Sequence, residues 1–230
     1  MEQRTTRLEA LNATVDTVSA FIFTCFQAQN FDVNTKSDGS VVTNVDREVE
    51  LKARKLLLEL FPNDGFLGEE YGEIQGTSGY RWVIDPIDGT TSFVRGVPLF
   101  GTLLGLEFQG KPIAGVASLP AVGEKISAAT GEGAWLTRLN ASNPTRAHVS
   151  STATLDEAMI CTTSYDYFRN SDNASMFHAL LDSAGSTRGW SDCFAFLLAC
   201  TGRIDGLVEP ILFPWDIIPW IPIIDRKSVV

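Results

Sequence analysis

Asp85 and Asp88 stand three residues apart at the end of an apolar run, in "WVIDPIDGTTSF" (82–93), with a glycine and two threonines directly after them. Two carboxylates that close repel each other; at about 4 Å and an effective dielectric near 20 the cost is about 4 kcal/mol. A cation between them, or a proton on one of them, removes it. Pro86 fixes its own φ and drives Asp85 toward an extended backbone, so the spacing predicts a rigid turn that holds both acids. Gly89 lets a ligand approach the backbone, and the N–H groups of Asp88, Gly89 and Thr90, at an expected helix start, suit an anion. Hard oxygen ligands on a rigid support suit Mg²⁺, whose octahedral shell takes carboxylates, waters and phosphate oxygens. The chemistry these residues suggest is that of a metal-bridged phosphate.

Further acids fall at the edges of apolar elements. Glu69 and Glu70 close "FLGEE", Asp46 follows "VVTNV", and Asp216 opens a last helix in "PWDII". Strand ends and helix starts converge on shared crevices in layered folds. Taken singly, each acid also has an ordinary role. Asp46, three residues after Thr43, fits a capping box; Glu69 and Glu70 fit a solvated turn; Asp216 complements a helix dipole; and Asp-Pro-Ile-Asp-Gly is a common turn composition. The combination favours a functional site over four separate coincidences.

The elements that must position these residues are legible in part. Leu8, Leu11, Val15, Val18, Ile22 and Cys25 recur at steps of three and four, which predicts a helix over about 4–27. "NTKSDGSVVTNVD" reads as a turn, and Val45, Val49, Ala53, Leu56 and Leu60 form a second helical stripe before Pro62. Short apolar runs punctuated by Gly and Pro from Leu99 to Trp135 predict an antiparallel meander. Residues 140–151 are polar and contain Pro144, a candidate link between two lobes. Beyond them the pattern predicts a strand near 158–162, helices near 174–183 and 192–201, a strand near 206–209 and a last helix from Trp215. The order is that of mixed layers of helices and sheets.

The chain of 230 residues is long enough to bury a sizeable core, and its net charge of −10 argues against a nucleic-acid partner. "ILFPWDIIPWIPII" is too short and too broken by Pro and Asp to span a bilayer, and "MEQRTTRLEALN" lacks the apolar core of a signal peptide. Cys25, Cys161, Cys193 and Cys200 show no C-x-x-C spacing, so free thiols in a reducing compartment are expected. The reading is a soluble, cytoplasmic protein. His148 and His178 lie outside every motif and are read as surface or core residues.

At "GEE" (68–70), "WVIDPIDGTTSF" (82–93), "WD" (215–216) and the upstream "KSDGSVVTNVD" (36–46), the sequence resembles the inositol monophosphatase superfamily of Mg²⁺-dependent, lithium-sensitive phosphomonoesterases. The likeness runs in the expected order from the first helix to about residue 224. It implies an α+β fold, a layered α-β-α-β-α sandwich of the sugar-phosphatase type, as a single phosphatase domain over 1–230. Within it, 1–140 would be a metal-binding lobe and 151–230 a substrate-specificity lobe. The resemblance implies two or three Mg²⁺ ions and a homodimer. It assigns Glu69, Asp85 and the carbonyl of Ile87 to a first metal, and Asp85, Asp88 and Asp216 to a second. Asp46, with Glu69, would complete the outer metal and water shell, Thr90 paired with Asp46 would orient the attacking water, and Asp88, Gly89 and Thr90 would take the phosphate.

"RGWSD" (188–192), "TGR" (201–203) and "VEP" (208–210) are similar to the histidinol-phosphate phosphatases of this superfamily. Arg188, Trp190, Asp192, Glu209 and Asp216 are the implied substrate contacts. Asp192 and Glu209 could accept protons from the amine and imidazole of histidinol in charge-assisted bonds. Arg188 could instead pair with Asp192 at i,i+4, and Trp190 could be packing. Hydrolysis of L-histidinol phosphate is therefore the expected activity, with inositol-1-monophosphate hydrolysis as the alternative. After Trp215 and Asp216 the family pattern continues to an E-A-G-G helix end and further strands, whereas here "IIPWIPIIDRKSVV" comes next. That departure carries the expectation of a truncated or replaced tail after Ile224, and with it a further alternative, a weakened relative that binds Mg²⁺ and phosphate without turnover.

Overall fold

The computed structural model describes residues 2–37, 39–190 and 192–224. Leu11, Val15, Val18 and Ile22 are buried along one side of helix α1 (Glu2–Ala28). The segment read as a turn is a hairpin, in which β1 (Val33–Thr35) pairs with β2 (Val41–Thr43). Helix α2 (Asn44–Leu60) starts at a capping box: Thr43 Oγ1 accepts from the N–H groups of Val45 and Asp46, and Asp46 Oδ2 accepts from Thr43 N at 2.8 Å. Its buried stripe is Val45, Val49, Ala53 and Leu57. Leu60, expected inside, is 64% exposed because Leu57 holds the inward position one turn after Ala53 and the helix stops at Leu60.

The main sheet then builds from β3 (Gly65–Gly68), β4 (Gly72–Ile74), β5 (Tyr80–Asp88), the short helix α3 (Thr90–Val94), β6 (Gly101–Phe108), β7 (Lys111–Leu119), β8 (Glu124–Ala129), β9 (Gly133–Arg138) and β10 (Thr145–Arg146). Its order is β10-β9-β8-β7-β6-β5-β3-β4, antiparallel throughout except for the parallel pair β3 and β5. The expected meander is β6 to β9, and residues 140–151 contribute the edge strand β10. Alternation divides the sheet's side chains between two cores. Leu104, Leu106, Ala114 and Val116 pack with α1 and α2, whereas Leu103, Ala117 and Leu119 face the opposite side. On the first face Arg7 of α1 donates Nε and Nη2 to the two oxygens of Asp64, each at 2.8 Å, and Trp82 Nε1 donates to the same carboxylate at 3.1 Å. This buried, fully bonded pair ties α1 to β5.

The remainder is a second, smaller layer pair: β11 (Met159–Cys161), α4 (Tyr165–Asn170), α5 (Ala174–Ser183), β12 (Ser186–Arg188), α6 (Asp192–Cys200) and β13 (Gly206–Leu207), with a parallel sheet in the order β12-β11-β13. Helix α6 lies between the two sheets, and α4 and α5 flank the small one, so the layers run α-β-α-β-α as expected. Helix α4 was not foreseen. The single last helix expected from Trp215 is two, α7 (Pro214–Ile217) and α8 (Ile221–Ile224), because Pro219 and Pro222 have no N–H to continue the ladder. Between them Pro219 lies flat on the large sheet: a Cβ on Gly115 would sit 1.8 Å from Pro219 O. Trp220 is buried and stacks on Phe196 at 5.2 Å. The tail beyond Ile224, over which the sequence departs from the family pattern, lies outside the described residues. Among the described residues no helix is long and apolar enough to cross a membrane.

Candidate active site

In a regular strand residues three apart point to opposite faces, so Asp85 and Asp88 would be separated by the sheet. The register of β5 against β6 prevents this. Asp85 lies opposite Leu103 and Asp88 opposite Gly101, so three steps on β5 match two on β6. The extra residue is a bulge, and it brings both aspartates to one face while Ile84 and Ile87 both reach the α1/α2 core. Pro86, which has no N–H to give to a ladder, suits a bulge, and its carbonyl accepts from Thr102 Oγ1 at 2.9 Å. The expected rigid turn is thus a bulge inside a strand that continues to Asp88. Gly89 then turns the chain with φ +84°, and a Cβ there would meet Leu99 O at 2.8 Å and Asp192 Oδ2 at 3.3 Å.

The remaining acids arrive from separate elements. Asp216 comes from α7, held by Phe213 N donating to its Oδ2 at 2.8 Å. Glu69 comes directly after β3, where Lys36 Nζ contacts Glu69 Oε1 at 2.7 Å and Glu70 Oε1 at 2.6 Å. Asp46 Oδ2 closes the capping box, and Thr90 Oγ1 lies 3.1 Å from Asp46 Oδ1 and 2.8 Å from Ile87 O. With one proton, that hydroxyl donates to one of the two at a time. Phe93, directly beyond, is packing: it is fully buried against Phe31 and Phe100.

Electrostatics shows how closely these groups are set. Burial first, then the charges of Glu69, Asp88 and Asp216, holds the Asp85 carboxyl well above the usual range. Asp88 is raised likewise, by burial and then by Asp192, Asp216 and Glu69, although the Cys193 N–H donates to it. Burial pushes Asp216 and Asp46 each up to about 6. Lys36 would be lowered by burial, but its bonds to Glu69 and Glu70 raise it. Among the described residues no three His, Cys, Asp or Glu side chains close on one point as a ready cage. Lys36 engages one of these acids, Glu69. Asp85 Oδ1 is nevertheless buried with no hydrogen-bond partner. An orphaned carboxylate oxygen beside Asp88, Asp216, Glu69 and the Ile87 carbonyl, all hard donors, fits Mg²⁺.

The expected substrate contacts divide. Asp192 opens α6 with φ +54°, its N–H 3.4 Å from Thr163 Oγ1, and Glu209 Oε1 accepts from Thr163 N and, at 2.8 Å, from Thr163 Oγ1. Burial pushes Glu209 up to about 7. Thr163, which carried no signal in the sequence, is thus the hinge between the two acids. Tyr167 of α4 joins them: burial and then the charges of Asp192, Asp88, Glu209 and Asp216 push its phenol up to about 12. Arg188 ends β12 exposed, with Nη1 donating to Thr187 O, and a helical i,i+4 pair with Asp192 does not apply because a strand ends at one and a helix begins at the other. Trp190 is 37% exposed at the same rim. Arg203 of "TGR" reaches away from this cluster, donating Nη2 to Glu124 Oε2 at 2.6 Å and tying the loop after α6 to β8.

The phosphatases among its relatives place this chain, with its layered sheets and buried acids, among the hydrolases of phosphoric monoesters. The chain belongs to the inositol monophosphatase family, whose model matches residues 3–225. It is 36% identical over 203 residues to a histidinol-phosphatase of Chlorobaculum parvum, covering 88% of this chain and 76% of that one. It is 35% identical over 194 residues to an inositol-1-monophosphatase of Rhizobium meliloti, covering 83% and 71%. Among solved structures, the extragenic suppressor protein suhB of Bartonella henselae superposes with a TM-score of 0.85 at 27% identity, over 96% of this chain and 84% of that one. An inositol monophosphatase from Anabaena gives 0.80 at 26%, over 97% and 82%.

Proposed function

We propose that this protein hydrolyses L-histidinol phosphate to L-histidinol and phosphate with Mg²⁺. The observation that carries the reading is the bulge at Pro86, which sets Asp85 and Asp88 on one face beside Asp216 and leaves Asp85 Oδ1 without a partner. Glu69, Asp85, Asp88, Asp216 and the Ile87 carbonyl would hold two or three ions. Bound Mg²⁺ supplies a more acidic water and neutralises charge on the phosphate and the departing oxygen. The chain's own residues do the rest. The backbone at Asp88, Gly89 and Thr90 binds the phosphate, and Thr90, with Asp46 as acceptor, orients a water beside Glu69. The water gives up a proton as its oxygen bonds phosphorus, the P–O bond to the alcohol breaks, and the departing oxygen takes up a proton to leave as the alcohol. Residues 1–140 supply these groups except Asp216, which comes from 151–230 together with the side chains that choose the alcohol.

The choice of alcohol rests on Asp192 and Glu209, two acids joined through Thr163 and suited to a cationic amine and imidazole, with Arg188 and Trp190 at the rim. The named histidinol-phosphatases among its relatives support this choice; the inositol-1-monophosphatases keep the second reading in view. A cytoplasmic homodimer completes the proposal. The test is phosphate release from L-histidinol phosphate and myo-inositol 1-phosphate in parallel. We expect kcat/KM to favour the former at least about tenfold, the effect of one charge-assisted bond; a preference for the inositol ester refutes the assignment.

A further inference from the structure

Among the described residues, Glu50 is a carboxylate beside the site that neither the sequence motifs nor the proposed reaction uses. It lies on the inward face of α2, fully buried, and no ion pair to it occurs among the described residues. Both of its oxygens are committed to backbone. Oε2 accepts from Glu70 N at 2.7 Å and Oε1 from Tyr71 N at 3.0 Å. Gly68 completes the fit, because a Cβ there would sit 2.1 Å from the Glu50 carboxyl carbon. The turn from Gly68 to Gly72, which closes the β3–β4 pair, is therefore clamped from beneath by a charged acceptor, and that turn carries Glu69 and Glu70.

We infer that Glu50 is a positioning residue for the cation site: by fixing the Glu70 and Tyr71 amides it sets the turn that presents Glu69. A buried carboxylate is a costly way to close a turn. Its two oxygens accept successive N–H groups with the strength of charge-assisted bonds, and a rigid turn holds a cation ligand where a loose one would spend affinity on ordering it. The missing side chain of Gly68 makes room for this acid, 18 residues upstream.

This inference rests on the proposed function, in which Glu69 is a cation ligand, and the test separates the two. Mg²⁺ is titrated by calorimetry into metal-free wild-type protein, Glu50→Gln and Val49→Ala, and each protein's Tm is recorded. Val49 is fully buried on the same helix, so its truncation weakens the core without touching the turn. Glu50→Gln is expected to raise the Mg²⁺ Kd at least tenfold, and Val49→Ala to lower Tm while leaving Kd within twofold of wild type. Wild-type affinity in Glu50→Gln, or equal weakening in Val49→Ala, overturns the positioning role. If Glu50→Gln does not fold, Glu50→Asp, which keeps the charge but withdraws it by one methylene, takes its place, and unchanged Mg²⁺ affinity in that variant overturns it equally. Absence of Mg²⁺ binding in the wild type overturns the proposed function, and this inference with it.

Discussion

Burial and the neighbouring charges of Asp192, Asp216 and Glu69 make Asp88 a cost to the metal-free fold. Asp88→Asn removes one charge and keeps the shape. We expect its Tm in EDTA to equal or exceed that of the wild type, while phosphate release falls by at least about 10²-fold; thermal melts and a phosphate assay check the two halves. Glu209 gives a pH signature. With its carboxyl pushed up to about 7, it gains charge as pH rises through that value. The wild-type kcat/KM for a cationic substrate should therefore climb across pH 6–8, and Glu209→Gln should lack that limb and raise KM about 10- to 100-fold, the worth of a charge-assisted bond. These acids were legible in the sequence because their residue type and order carry the chemistry. Thr163, Tyr167 and Glu50 were not, since a threonine, a tyrosine and a helical glutamate acquire their roles only from what the fold brings against them.

Helices α1 and α2 and the meander from β6 to β9 were legible from periodicity, because each buries one face and repeats it over many residues. The β1–β2 hairpin and α4 were not, being too short for a period to appear. The bulge in β5 was hidden for another reason. Pro86 is compatible with a turn or a bulge, and only pairing with β6 decides between them. The break between α7 and α8 was signalled by Pro219, but the contact of Pro219 with Gly115 was not. Pro219 lies two residues past α7, which carries Asp216 and itself packs on β5 and β6. Gly115→Ala puts a methyl group into the Pro219 carbonyl and should cost about 1–3 kcal/mol. The expected result is a Tm lower by several degrees and a higher Mg²⁺ concentration at half-maximal activity, measured on the same preparation.

The five layers concentrate acids from both sheets and from α6 and α7 at one place in a chain already at −10, so the metal-free protein should answer to pH as a whole. A carboxyl whose pKa is raised by folding stabilises the fold below its unfolded value, and that contribution is lost as pH climbs through the folded value. For Glu209 the window runs from 4.5 to about 7, and for Asp46 and Asp216 from 3.8 to about 6. In EDTA, Tm should therefore fall by several degrees between pH 5 and pH 8, and Mg²⁺ added at pH 8 should restore it; calorimetry at the two pH values decides. The central claim, that this acid cluster is a Mg²⁺ site for phosphomonoester hydrolysis, is tested most directly by phosphate release from L-histidinol phosphate as Mg²⁺ is titrated into EDTA-treated protein. The account predicts no release without the ion and a saturable rise with it; release unaffected by EDTA, or none at any Mg²⁺ concentration, would contradict it.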